Sequence, residues 1–169
     1  MATNLLLTSA AQLLALINEE NSTTLTESDV TFGLPSAHGG ANPGDTDVVV
    51  SAAANSGYTG TVTVNYNRLD LAGFSIYGAA EVFVPEGATV ADIVAAFNAL
   101  YEANLGVDDY DEAASAPVPD DDGENFTLVA DANSLAYSGQ IVIVVRLATV
   151  ALSSVITTTN LDGLEFPPA

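Results

Sequence analysis

An α+β fold is what this sequence predicts: one pseudo-two-fold domain formed from a duplicated unit of a helix plus an antiparallel β-hairpin. Three observations lead there. Two stretches carry helix start signals followed by a helical apolar stripe, two pairs of strand-like runs flank Gly-containing turns, and the second set follows the first at a nearly constant spacing. In chain order, Ser9-Ala-Ala-Gln12 has capping-box spacing, after which Ala10, Leu13, Leu14 and Ile17 share one face of a helix over 10–20. Asp47–Ala53 and Thr61–Tyr66 flank Asn55–Gly60 as a hairpin, and Ala80–Val84 adds strand material. Pro85-Glu-Gly87 then breaks the chain before Thr89-Val-Ala-Asp92, a second capping box, and Val90, Ile93, Val94, Phe97 and Tyr101 form the stripe of a helix over 90–103. Phe126–Ala130 and Gln140–Val145 flank Asn133–Gly139 as the second hairpin, and Val150–Thr159 repeats the trailing strand.

The duplication rests on counting. Tyr58 and Tyr137 stand 79 residues apart, as do Gly60 and Gly139. Leu16–Asn21 meets Ala99–Asn104 at an offset of 83, and Leu25–Asp29 meets Val107–Asp111 at 82. Arg68-Leu69 meets Arg146-Leu147, which sets the only two cations of the chain at equivalent places. Two units are too few for a solenoid, so the expected arrangement is a single domain, 1–169, with related halves of about 1–84 and 85–169. A cation repeated at one topological position implies a structural pair with an internal acid. Asp29 and Asp111 are the candidates for Arg68 and Arg146, with a neighbour's carboxylate as the alternative.

Composition excludes several functions. The chain has 22 acidic residues against two Arg, a net charge of −20, so it has no cations to cluster on a nucleic-acid backbone or an anionic membrane surface. Charged residues are only 14% and apolar ones 49%, which marks a globular chain and not an acidic tail. No run reaches the ~18 apolar residues of a membrane span. The start, Met-Ala-Thr-Asn-Leu-Leu-Leu, lacks the basic region of a secretory signal and reads as cytosol-synthesised sequence. Cysteine is absent, so disulfides and thiolate chemistry are excluded.

No catalytic residue is expected. The one imidazole, His38 in Pro35-Ser-Ala-His-Gly-Gly40, reads as a solvent-exposed loop histidine, and neither a nucleophile elbow nor a phosphate-binding glycine loop is present. The single hard-cation candidate is the acidic turn Asp120-Asp-Asp122-Gly-Glu124, where Asp120, Asp122 and Glu124 could offer oxygens to Ca²⁺. It lacks the full calcium-loop spacing, and a solvated acidic loop is the competing reading; no other cofactor is expected.

Leu13–Asn18, Leu25–Pro35, Gly57–Leu71 and the closing Leu161-Asp-Gly-Leu-Glu-Phe-Pro167 together resemble small structural proteins of large tailed bacteriophages. The resemblance covers most of the chain, is strongest from Leu13 to Leu71, and weakens between Glu112 and Gly123. It implies a non-enzymatic virion component, made in the host cytoplasm and present in many copies on a shell or tube, as a homo-oligomer or docked on other virion proteins. A capsid decoration protein on the head surface is the leading expectation. A tail, neck or baseplate protein and a cell-surface binding module are the alternatives, and a hydrolase using paired acids ranks last.

Overall fold

The computed structural model describes residues 4–40, 44–117 and 125–148. Helix α1 (Ser9–Asn21) is capped by Thr8, whose Oγ1 accepts the Ala11 N–H at 3.3 Å. The cap lies one residue earlier than the capping-box spacing suggested, which releases the Ser9 hydroxyl for a distant partner. The helix stops at Ser22, a left-handed residue (φ 53°), and the Asn18 side chain then fixes the exit. Its Nδ2 donates to the Leu25 carbonyl at 2.8 Å while its Oδ1 accepts the Leu25 N–H at 2.8 Å. The chain continues through β1 (Val30–Phe32), β2 (Ser36–Ala37), β3 (Thr46–Ala52) and β4 (Thr61–Tyr66). Strand β3 is central: β1 and β2 pair along one of its edges and β4 along the other, all antiparallel.

Next come β5 (Leu69–Asp70), a 3-10 helix (Leu71–Tyr77) and β6 (Ala80–Val84). Helix α2 (Val90–Tyr101) opens with the expected capping box between Thr89 and Asp92 and stops at Glu102, again left-handed (φ 50°). Asn98 repeats the exit lock, donating to the Leu105 carbonyl at 3.0 Å and accepting its N–H at 2.9 Å. Strands β7 (Ala116–Pro117), β8 (Asn125–Val129), β9 (Tyr137–Ser138) and β10 (Gln140–Leu147) follow. The second sheet runs β6-β10-β8-β7, with β8 and β10 antiparallel as the hairpin reading required. Strand β6 lies parallel to β10, Ala80 level with Ile143 and Val84 with Leu147, and β5 lies parallel to β9. The fold is therefore α+β. Residues from the first half of the chain complete the sheet of the second.

These ladders correct the spacing counted from the letters. Matching side-chain locks set Asn18 against Asn98 and Leu25 against Leu105, an offset of 80 in place of 83 and 82. Asp29 then corresponds to Asp109 and not to Asp111: each closes its turn by accepting a backbone N–H three residues earlier, from Thr26 at 2.8 Å and from Gly106 at 2.9 Å. In the hairpins Ala52 N–H donates to the Gly60 carbonyl and Ala130 N–H to that of Gly139, at 3.0 and 2.9 Å. Following both ladders from there sets Val62 level with Ile141, Arg68 with Leu147 and Arg146 with Asn67. The two arginines are thus one position apart, and because side chains alternate along a strand this changes their faces.

Two cores result. The larger gathers Leu71, Val82, Val84, Phe97, Leu128, Tyr137 and Ile143, all buried, with Phe74, Phe97 and Tyr101 in mutual ring contact at centroid distances of 4.7–5.2 Å. The smaller holds Leu13, Leu14, Val30, Val48, Val50 and Tyr66.

Candidate functional site

A buried carboxylate joins the two halves. Asp109, 5% exposed, accepts hydrogen bonds from the hydroxyls of Ser9 on α1 and Ser134 (2.6 Å) and from the Gly106 N–H. Gln12, one turn along α1, donates to the Leu7 carbonyl at 2.9 Å and to the Tyr137 hydroxyl at 3.1 Å. Tyr66 donates to the Leu135 carbonyl at 2.8 Å, and burial pushes its phenol up to about 12. Burial also raises the Tyr137 phenol. The Ser9, Ser134 and Gly106 donors satisfy the Asp109 carboxylate and lower the cost of its burial, whereas the buried Gln12 Oε1 meets no partner among the described residues. Asn104 of the second half also donates to the Leu6 carbonyl of the first, at 3.4 Å. Ser9, Gln12 and Tyr66 of the first half reach the turns of the second, whereas Asp29, the counterpart of Asp109, accepts from the Thr26 hydroxyl and N–H of its own turn.

The two arginines meet different partners among the described residues. Arg68 Nη1 donates to the Ala132 and Ser134 carbonyls at 3.1 and 3.3 Å, because the turn after β8 aims its carbonyls at the end of β4. Arg146 pairs with Glu81 at 2.8 Å across the parallel β6–β10 ladder, at a half-exposed site. Asp29 is held below the usual carboxylate range, mainly by the Thr26 hydroxyl. Asp111 spends its carboxylate on the N–H groups of Ala113 and Ala114, both at 3.0 Å. Asp120, Asp122 and Glu124 lie outside the described residues. Among the described residues no group of three or more His, Asp or Glu side chains is arranged to hold a metal ion, and no helix is long and apolar enough to cross a membrane.

His38 differs from its exposed-loop expectation. Its side chain is 13% exposed, and Nδ1 sits 2.9 Å from both oxygens of Asp47 on β3, which the hydrogen bond from His38 holds below the usual carboxylate range. Asn65 on β4 donates to the same carboxylate at 3.2 Å. The strand pairing of β2 with β3 creates this contact, since Ser36 is level with Asp47. Among the described residues the Nε2 atom of His38 meets no hydrogen-bond partner.

The feature best suited to recognition is apolar. Ile17 on α1, Leu25 after it, Val30, Val50, Val62 and Val64 line a groove of about 210 Å³ between helix and sheet, with Tyr58 at its mouth. Val62 is 59% exposed and Tyr58 56%. The corresponding positions of the second half, Phe97, Leu105, Tyr110, Leu128, Ile141 and Ile143, are each at most 6% exposed, because β6 and the 3-10 helix close over them. The first half thus leaves these apolar positions open beside β4, while a second apolar pocket of about 410 Å³, lined by Leu5, Leu69, Phe74 and Tyr101, opens against the larger core. Sequence patterning placed Ile17 on the apolar stripe of the helix and Val50, Val62 and Val64 in strands, and no local signal tells a covered stripe from an uncovered one.

Taken together, the fold and this surface define an α+β protein with an apolar, strand-edged groove on an acidic chain. The chain belongs to a family of unknown function, DUF7941, whose profile matches residues 2–168. Neither curated proteins nor solved structures give a significant match.

Proposed function

We propose that this protein is a non-enzymatic structural component of a bacteriophage virion, a capsid decoration protein that works by docking or self-association on the head surface. The observation that carries the reading is the open groove at β4, an exposed apolar surface in a chain with a net charge of −20. Acidic side chains keep free copies apart and soluble, and apolar burial supplies the attraction once a partner is met. The sequence resemblance to small phage structural proteins supplies the setting. We further propose that the halves are copies of one duplicated unit. The paired exit locks of Asn18 and Asn98 and the matching turns of Asp29 and Asp109 support this. The contact through Ser9 and Gln12, which Asp29 does not mirror in its own turn, favours head-to-tail succession of the units over the two-fold that the sequence suggested.

Virions purified from a lysate that makes this protein test the reading. Mass spectrometry is expected to find the chain at many copies per particle, and immunogold labelling to place it on the head. Label confined to tail or neck moves the assignment there, and absence from purified particles overturns it.

A further inference from the structure

We infer that the outer edge of β4 accepts a strand from a second copy of this chain, contributed by the residues that follow β10, so that copies join head to tail. This takes up the self-association in the reading above and assigns it a surface and an occupant. The second half of the molecule already contains such a contact. There β10 pairs with β8 on one side and with β6 on the other, and β6 is part of the stretch 69–84 that trails the first half. The same stretch places Leu69–Asp70 parallel to Tyr137–Ser138. In the first half the counterparts are β4 and Tyr58–Thr59. Strand β4 pairs with β3, and among the described residues nothing pairs with its other edge.

The free edge has the right polarity of groups. Antiparallel pairs alternate, and the Ala52–Gly60 bond makes Val62 and Val64 the residues bonded to β3. The N–H and C=O groups of Thr61, Thr63 and Asn65 therefore point outward. On β10 the matching residues Val142 and Val144 meet β6 in this way. An added strand would also cover Val62, in the manner that β6 covers Ile143, which is fully buried. The donor is read from the sequence: β6 ends Val82-Phe83-Val84-Pro85, and the stretch after β10 contains Leu164-Glu165-Phe166-Pro167, each with apolar residues two apart before a proline. A second copy is favoured over the chain's own tail because a closed two-fold arrangement would also bring α2 onto the Asp29 turn. Asp29 and Asp92 instead bond within their own turns. A contact between two different surfaces of one chain propagates into a ring or filament.

Sedimentation velocity of the full chain tests this. Wild type is expected to form concentration-dependent oligomers. Thr63→Pro removes an outward N–H without touching the β3 ladder and is expected to abolish them while leaving the thermal melt in place. Phe166→Asp, in the donor stretch, is expected to do the same. Because Thr63→Pro still donates and Phe166→Asp still accepts, mixing the two is expected to restore a one-to-one dimer. Oligomers that survive Thr63→Pro overturn the assignment, as does a mixture that stays monomeric while wild type assembles. If Thr63→Pro fails to fold, Val62→Asp replaces it, with the same expected loss and the same rescue. A wild type that is monomeric throughout overturns strand donation, and if it still sediments with virions the virion reading stands.

Discussion

Asp109 and Asp29 close matching turns, yet Asp109 alone is buried under a neighbouring element, through Ser9 and Ser134. Replacing one carboxylate oxygen by an amide in Asp109→Asn sets a donor against donors at a buried position. The expected loss is about 2 kcal/mol in urea unfolding, the scale for a buried unsatisfied group. Asp29→Asn, in a turn that water reaches, is expected to move the midpoint far less. Ionisation bounds stability on both sides. The Thr26 hydroxyl, His38 and the Thr89 N–H hold Asp29, Asp47 and Asp92 below their ordinary 3.8, so what they contribute is present above that value and is lost as pH falls through their folded values. Tyr66 moves the other way, from 10.0 to about 12, so its contribution is intact below 10.0 and is lost as pH rises toward 12. Melts across pH, with tyrosinate absorbance on the alkaline side, are expected to show a plateau between these limits.

Strands β4 and β10 each close an antiparallel hairpin but lie in different surroundings. Leu128, fully buried behind β10, cannot be truncated without a cavity, and Leu128→Ala is expected to cost about 3 kcal/mol. Val62 is 59% exposed in the free protein, so Val62→Ala is expected to leave the unfolding midpoint nearly unchanged. Chemical denaturation of dilute, unassembled protein checks both. A large loss at Val62 under those conditions would mean that the groove is already filled by the chain itself. The helices differ less, since each is stopped by a left-handed residue and an asparagine lock on the loop that follows.

At the scale of the whole molecule, a charge of −20 on 169 residues opposes every contact between copies. Salt shortens the reach of that repulsion, to about 10 Å at 0.1 M, and leaves apolar burial in place. Static light scattering across a sodium chloride series is therefore expected to show an apparent mass that rises with salt. A mass that falls with salt would mean that ion pairs hold the copies together, which an inventory of two arginines makes difficult. Arg146 is already paired with Glu81, and Arg68 is committed to the Ala132 and Ser134 carbonyls.

The sequence by itself determined the elements. Apolar period placed α1, α2 and both hairpins within a residue or two, and the Thr89–Asp92 box was readable because a cap involves residues three apart. It determined the net charge of −20. The tertiary structure decided where polar groups far apart in the chain find each other. Ser9 meets Asp109 across a hundred residues, a contact that no local pattern encodes. It also decided that the two asparagine locks stand 80 residues apart, whereas letters alone aligned Leu25–Asp29 at a spacing of 82. His38 read as a loop residue because its acid, Asp47, becomes a neighbour only through the pairing of β2 with β3. Above all it decided which apolar stripe is covered. Val62 and Ile141 carry the same local signal, and the difference lies in β6, whose parallel docking on β10 depends on a non-local register that each strand's own sequence leaves open.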